Sequence, residues 1–372
     1  MEKKLKILFT GGGTGGHIMP IISIGRELKK LDPQNNLKLH YIGPKDGTEF
    51  LFQEGFKIHT IVSGKIRRYF SLLNIVDILF SIPFGFIQSF FLLLFIRPKI
   101  VFSKGGSGSL VTCVAAKVLK IPVFLHESDS VPGMSNQKIS KFAKKIFISF
   151  PKTEYFDSTK TTLVGNPIRI DLLNIDEETA KKTLNINLNK NIILFWGGSQ
   201  GAEIINEFVL SNLNNFLLNY EIIHVAGDKN YRNVKSELEA RLNKEEKKYY
   251  YLYKSLNELE LKSALKLCHF AVSRAGSGSI FEISAFGIPS ILIPLPTSAQ
   301  DHQSRNAYQY AKTGAGIVIE QENLTPNLFL AKINNIISNP ETFKKMSESA
   351  LNFSKPKAGE TIAKEILGYI IS

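Results

Sequence analysis

"LFTGGGTGGHIMP", residues 8–20, decides how the rest of this chain is read. An apolar run, "LKILFT" (5–10), leads straight into Gly11-x-Gly13-x-x-Gly16. That spacing is the fingerprint of a dinucleotide-binding turn: glycine lets backbone N–H groups approach a phosphate, and the following helix N-terminus favours its charge. A nicotinamide site also needs an acidic residue about 20 positions on, at the end of the second strand, for the ribose hydroxyls. Here that strand ends "HYIGPKDG", with Gly43 and Pro44 where the acid belongs and Asp46 late. A nicotinamide oxidoreductase is therefore poorly supported. His17 and Ile18 stand where a Walker lysine and hydroxyl would be, so a P-loop is excluded.

Working outward, short apolar runs alternate with helical patterns. After the first strand and a helix from about Pro20 to Lys30 come "LKLHYIG" (37–43), "FKIHTIV" (56–62), "KIVFSK" (99–104), "IPVFLHE" (121–127) and "KIFISF" (145–150). A second series follows "LVGNPIR" (163–169): "NIILFWGG" (191–198), "EIIHVAG" (221–227), "CHFAVSR" (268–274) and "SILIP" (290–294). Strand, crossover, strand predicts doubly wound parallel sheets. The expected architecture is α/β, with two similar domains at 1–164 and 165–345 and a helical tail at 346–372. Packing of that tail back on the N-terminal domain is one arrangement open to it. Four glycine-rich turns follow strands: "TGGGTGGH" (10–17), "SKGGSGSL" (103–110), "WGGSQGAE" (196–203) and "SRAGSGSI" (273–280). In open α/β sheets ligands bind at strand C-terminal ends. Two such edges, one per domain, predict a cleft for phosphorylated ligands.

Composition is that of a globular chain: 372 residues, 44% hydrophobic and 21% charged. Cys113 and Cys268 lie far apart in apolar stretches, which argues against a disulfide framework and fits a reducing compartment. Two lysines and a short strand before the glycine loop are not the pattern of a secretory signal. The net charge of +13 is spread out, without basic blocks or interleaved aromatics. Nucleic acid is therefore a poorer partner than phosphorylated substrates or an anionic membrane. "ILFSIPFGFIQSFFLLLFI" (78–96) carries no charge and approaches the roughly 20 residues of a spanning helix. Pro83 and Gly85 interrupt it, so two short helices joined at Pro83 fit better than a span. Buried core and a membrane-facing patch both remain open. Lys65, Arg67, Arg68, Arg97 and Lys99 rim the segment as headgroup contacts would.

Several residues carry chemistry. Glu282 lies one to two turns into the helix after Gly276–Ser279, where a carboxylate can accept from both hydroxyls of a ribose; Ser277, Ser279 and the loop N–H groups suit an attached phosphate. "FLHESDSVPGMSN" (124–136) gathers His126, Glu127 and Asp129 at a strand end. "PTSAQDHQSRNA" (296–307) groups Gln300, Asp301, His302, Gln303 and Asn306, amides and carboxylates that read sugar hydroxyls well. The His and acid spacings do not make a metal site, and none is expected.

Together these motifs resemble the MurG family of N-acetylglucosaminyltransferases, which convert lipid I to lipid II at the cytoplasmic face of the membrane. The matching stretches are "GGGTGGHIMP", "GKIRRYF", "VFSKGG", "IPVFLHESD", "VGNPIR", "GGSQGA", "SRAGSGSIFEISAFGIPSILIPLP" and "DHQSRNA", in the family's order from residue 10 to 307. The resemblance implies a GT-B fold, two Rossmann-like domains facing across a cleft, with UDP-N-acetylglucosamine mainly on the C-terminal one. It implies UDP contacts from Arg169, Ser199, Ser279 and Glu282, sugar-side contacts from Gln303 and Asn306, and a base contact near Leu256. It places Thr14, Gly15, Gly16 and His17 at the reaction centre, beside the lipid acceptor's diphosphate. His126, Glu127, Asn136, Asn206 and Arg274 also fall on family motif positions. Asp129 stands where many members have Asn, Ser107 where an aromatic is usual, Leu110 where a proline is usual, and Ser255 where an aromatic is common.

The expected reaction is an inverting transfer without a cofactor or metal. The C4 hydroxyl of the muramoyl sugar on undecaprenyl-diphosphate-linked muramoyl-pentapeptide attacks the anomeric carbon of the donor, with His17 or Glu127 as base. The alternatives are another GT-B UDP-sugar enzyme, such as an epimerase or a glycolipid glycosyltransferase, and more remotely the oxidoreductase. The enzyme is expected as a peripheral protein on the cytoplasmic face of an anionic membrane, without nucleic acid.

Overall fold

The computed structural model describes residues 4–64, 77–151, 155–187, 189–198 and 201–371. Lys65, Arg67, Arg68 and Ser199 lie outside the described residues. The chain forms two compact units. One runs to Arg169 and resumes at Lys355; the other is Ile170–Ser354. The sequence reading put these divisions at 164/165 and 345/346.

The first unit holds seven parallel strands: β1 (Leu5–Thr10), β2 (Leu37–Gly43), β3 (Lys57–Thr60), β4 (Ile100–Ser103), β5 (Val123–Glu127), β6 (Lys145–Ile148) and β7 (Thr161–Leu163). Their order is β3-β2-β1-β4-β5-β6-β7. The second unit holds β8 (Asn191–Trp196), β9 (Tyr220–Val225), β10 (Tyr250–Tyr253), β11 (Phe270–Ser273), β12 (Ser290–Leu292) and β13 (Gly316–Val318), ordered β10-β9-β8-β11-β12-β13. Each sheet therefore reverses its winding once, between β1 and β4 in the first and between β8 and β11 in the second. The four glycine loops are the turns that follow these four strands. They occupy the switch points where open α/β sheets bind ligands.

Why β1 is continuously apolar from Ile7 to Phe9 is visible in its packing. Ile7 and Phe9 belong to the cluster on one face, with Ile21 and Phe102; Leu8 belongs to the cluster on the other, with Ile42 and Leu125. A sheet covered on both faces needs apolar residues at every position. The first face is completed from the far end of the chain: Ile362, Ala363 and Ile366 of the helix Ala358–Ile371 join the same cluster. That helix lies against Gly15–Lys30 at close range, since a Cβ on Gly359 would come within 2.7 Å of Ser23 Oγ.

Several expectations change. The first helix begins at Gly15, not near Pro20, and carries Pro20 inside it. Strands β7, β10 and β13 are short and were not read from the sequence. Residues 78–96 do not form two helices joined at Pro83: a π-helical turn, Asp77–Ser81, runs into a single helix, Ile82–Ile96. Pro83 sits in its first turn, where a missing N–H costs nothing. The segment is not buried core either. Gly85, Ser89, Leu93 and Ile96 are the buried residues of Ile82–Ile96, which is one stripe. Phe91 is 64% and Phe95 84% exposed. Asp77–Ile96 is long and apolar enough to cross a membrane by length and composition, yet only 17% of its most apolar stretch is buried.

Candidate active site

In the first unit three loops come together at the carboxyl ends of β1, β4 and β5. Lys104 N–H donates to Thr10 O at 2.9 Å, which ties the β4 loop to the β1 loop. The close approach explains the glycines. A Cβ on Gly106 would lie 2.7 Å from Gly12 N and 3.2 Å from His17 Nε2, and one on Gly13 would lie 2.6 Å from Asp46 Cβ. Gly105, at φ +88°, would strike Asn136. The buried Tyr41 hydroxyl fixes the first loop by donating to Gly11 O at 3.1 Å. Asp46, late for a ribose acid, instead packs against Gly13.

His17 stands in the first turn of Gly15–Lys30, partly buried, with Nδ1 2.8 Å from Thr14 Oγ1. Burial is the main cause that pushes its pKa down to about 4; the Lys104 charge adds to this and Asp129 opposes it. At neutral pH the ring is uncharged and able to accept a proton. Thr14 and Gly16 are exposed, and Gly15 is partly so.

Glu127 is buried at the end of β5 and serves its own loop. Oε1 accepts from Asp129 N–H at 2.9 Å; Oε2 accepts from Gly133 N–H at 3.3 Å and Asn136 Nδ2 at 2.7 Å. Burial pushes its pKa up to about 7, helped by the Asp129 carboxylate and opposed by Lys104 and the hydrogen bonds. His126 is fully buried, with Nε2 3.0 Å from Gly165 O, and burial holds its pKa well below the usual value. It anchors the turn that leads to Arg169, which is partly buried.

Lys104 carries no signal in the sequence pattern. Its side chain is 1% exposed, and its ammonium has no hydrogen-bond partner among the described residues. "VFSKGG" had pointed to the glycines and not to the lysine between strand and loop.

In the second unit the loop after β11 is more open, and the loop after β8 is open at Gly198 but tight at Gly197 and Gly201. A Cβ on Gly198, Gly276 or Gly278 would meet no heavy atom within 4 Å. Gly276 caps the helix Ser277–Ala285, which carries Ser277, Ser279 and Glu282 in its first two turns. Ser279 and Glu282 are partly exposed; Ser277 is buried.

Other expected site residues hold the surrounding loops. Arg274 donates to Ile293 O at 3.2 Å, Pro294 O at 3.1 Å and Gln321 Oε1 at 3.0 Å. Gln303 Oε1 accepts from Leu295 N–H at 3.0 Å, and buried Asn306 donates to Ala275 O at 3.3 Å. Gln300 and Asp301 are consecutive non-glycine residues in the left-handed region, at φ +58° and +56°. Asn206 lies deeper: Nδ2 donates to Ala226 O at 3.0 Å and Oδ1 pairs with His224 Nε2 at 2.8 Å. Ala226 O lies 2.6 Å from where a Cβ on Gly201 would be, so Asn206 braces the glycine loop from beneath. Leu256 is partly buried against the cluster that includes Leu261 and Leu265, just before a helix closed by a reciprocal Asn257–Glu260 capping box.

Two doubly wound units with glycine loops at both switch points define a protein of the GT-B fold. Residues 7–148 match the glycosyltransferase family 28 N-terminal domain and residues 192–362 the family 28 C-terminal domain. The chain belongs to glycosyltransferase family 28. It is 38% identical over 352 residues to the UDP-N-acetylglucosamine–N-acetylmuramyl-(pentapeptide) pyrophosphoryl-undecaprenol N-acetylglucosamine transferase of Clostridium tetani, covering 93% of this chain and 94% of the relative. The protein of that name from Clostridium botulinum is 36% identical over 364 residues, 96% of this chain and 99% of the relative. Among solved structures the chain resembles MurG of Acinetobacter baumannii, with a TM-score of 0.73 at 22% identity over 98% of this chain and 99% of that one. It also resembles the UDP-GlcNAc 2-epimerase of Neisseria meningitidis, at 0.69 and 16% identity over 98% and 100%. At these identities the likeness establishes the fold alone.

Proposed function

We propose that this chain transfers N-acetylglucosamine from UDP-N-acetylglucosamine to the C4 hydroxyl of the muramoyl sugar of undecaprenyl-diphosphate-linked muramoyl-pentapeptide, with inversion. The observation that carries this reading is the 36–38% identity, over more than nine-tenths of the chain, to relatives named for that transfer. An epimerase shares the fold but needs no lipid acceptor and no exposed apolar helix.

In this reading the two units divide the work. Ser277, Ser279, Glu282 and the open N–H groups at Gly276 and Gly278 hold the donor's diphosphate and ribose, with Arg169, Ser199 and Leu256 as further UDP contacts. Gln303 and Asn306 shape the sugar side from loops that Arg274 and Asn206 keep in place. The loop Thr14–His17 and the loops beside it take the acceptor. His17 is the base: its ring is uncharged at neutral pH, and with Nδ1 held by Thr14 the other nitrogen is left for the C4 hydroxyl. Glu127, engaged by three donors, orders the loop through Asp129 and Asn136, and His126 holds the turn at Gly165.

The exposed face of Asp77–Ile96, rimmed by Arg97 and Lys99, seats the enzyme as a peripheral protein on an anionic membrane at the cytoplasmic face. There it meets the acceptor's lipid tail. Radiolabelled sugar transfer from UDP-N-acetylglucosamine to a lipid I analogue tests the reading. Donor binding without transfer would reduce the protein to a sugar-nucleotide binder.

A further inference from the structure

The switch point between β1 and β4 holds polar atoms that the fold leaves unused. Lys104 Nζ, Thr10 Oγ1 and Asn136 Oδ1 are buried, and none has a hydrogen-bond partner among the described residues. They belong to the loops that meet there. Lys104 N–H bonds Thr10 O, the Lys104 Cβ lies 3.6 Å from where a Cβ on Gly11 would be, and Asn136 closes over Gly105. Buried polar groups are almost always paired, and a buried ammonium left unpaired is strongly destabilising.

The neighbouring carboxylates do not settle the ammonium. Both Glu127 oxygens accept from Asp129 N–H, Gly133 N–H and Asn136 Nδ2 instead. Burial holds Lys104 down, to about 8, while Glu127 and Asp129 pull the other way. Lys104 Nζ makes no hydrogen bond to either carboxylate, so its donors are open to an anion that is not part of the chain. Two helices of useful length, Gly15–Lys30 and Ser107–Val118, begin beside it, so the anion would also meet free N–H groups and two positive helix ends. Tetrahedral phosphate oxygens suit this set; a carboxylate would leave most of the donors unused.

We propose that Lys104 is the cation that binds the diphosphate of the prenyl-linked acceptor, reached from the glycine loops of the first unit. This rests on the proposed transfer reaction for the identity of the acceptor, and on the orphaned atoms for the site. It assigns the charge to a residue that packs beneath the loops rather than to the loop backbone alone.

Full-length protein and the variants Lys104→Met and Lys104→Gln test this with three probes: farnesyl diphosphate, farnesol and UDP. The parent protein is expected to bind farnesyl diphosphate at least about tenfold more tightly than farnesol, as a charge-assisted contact to phosphate should. Both variants should lose that preference, keep their affinity for UDP within about twofold, and unfold at a temperature no lower than the parent, because an unpaired buried charge has gone. A retained preference in both variants overturns the proposal, and so does a parent that does not distinguish the two prenyl probes. A marked fall in unfolding temperature with weakened UDP binding also overturns it, by making Lys104 a structural residue. If the preference depends on Lys104 but no sugar reaches a lipid I analogue, the anion site stands and the transfer reading fails.

Discussion

Thr14 Oγ1 lies 2.8 Å from His17 Nδ1, three residues along the chain, at the point where the first glycine loop becomes a helix. The contact fixes the ring's orientation; His17 acts as base in the tautomer whose Nδ1–H donates to Oγ1 and leaves Nε2 unprotonated. His17→Ala should lower the single-turnover transfer rate by about 10²–10⁴-fold. The pH profile separates the two acid–base residues of this site. With His17 as base, the rate is level near neutrality and falls below about pH 5, because burial holds the ring near 4. An acid limb close to pH 7 would point to Glu127, whose carboxyl burial pushes up to about 7.

Glu127→Gln makes a different prediction. All three of its contacts are donors, so a glutamine amide can accept from one side while its NH₂ faces another N–H. We expect a loss of about 1–3 kcal/mol, the cost of leaving a buried polar group unsatisfied. It is read as a lower unfolding temperature together with a slower reaction. A variant as stable as the parent but slow would instead identify Glu127 as a reacting group.

Gly278→Ala reports on the donor loop. The added methyl meets no heavy atom within 4 Å, and alanine is the better helix former. Unfolding temperature should hold or rise while the KM for UDP-N-acetylglucosamine increases several-fold. An unchanged KM would remove this loop from the donor site.

The apolar helix offers a clean surface test. Phe84, Phe91 and Phe95 are exposed, whereas Leu93 is buried and would confound the result. Phe84→Ser, Phe91→Ser and Phe95→Ser together should leave the fold intact and weaken binding to anionic vesicles. Undiminished sedimentation with such vesicles would refute a membrane role for this face.

Stability should fall on acidification. Burial pushes His17 and His40 down to about 4 and His224 to about 3. Unfolded, each titrates near 6.5, about the reference value, so between 6.5 and 4 the unfolded chain holds more protons and stability drops with pH. Glu127 acts in the opposite sense: raised to about 7, it favours the folded state as pH falls from 7 toward 4.5. Three groups outweigh one. A thermal melt at pH 5 should therefore lie below that at pH 7.5, and the reverse order would show that these rings charge without unfolding.

The fold was largely legible because its signals are local. β1, β2, β4 and β8 are apolar runs followed by glycine, and each lies where it was read. β7, β10 and β13 were missed because three or four residues such as "TTL" or "YYLY" carry no periodicity. The glycine loops, and the position of Glu282 in the helix after one of them, could be placed from spacing alone. Lys104 could not, since a lysine next to glycines in a sequence looks like solvent-facing charge, and only the packing of β1 on β4 buries it. Asn206, Gln303 and Arg274 were legible as polar residues near the loops, but their observed bonds to backbone atoms depend on how distant turns come together. The apolar stretch at 78–96 left core and surface undecided, because composition does not say which side of a helix finds a neighbour.

The helix Ala358–Ile371 completes the apolar face begun by Ile7 and Phe9. During synthesis, the unit that emerges first is thus the one that cannot be finished first. Its sheet leaves the ribosome before Tyr369 can meet the Phe124 ring, 5.2 Å away in the folded chain, while the second unit has every residue it needs by Ser354. A nascent chain stopped just before Lys355 should carry a protease-resistant C-terminal unit and a sensitive N-terminal one. The glycine loops would then reach their working form only on release of the finished chain, so that a truncated product carries no competent acceptor half.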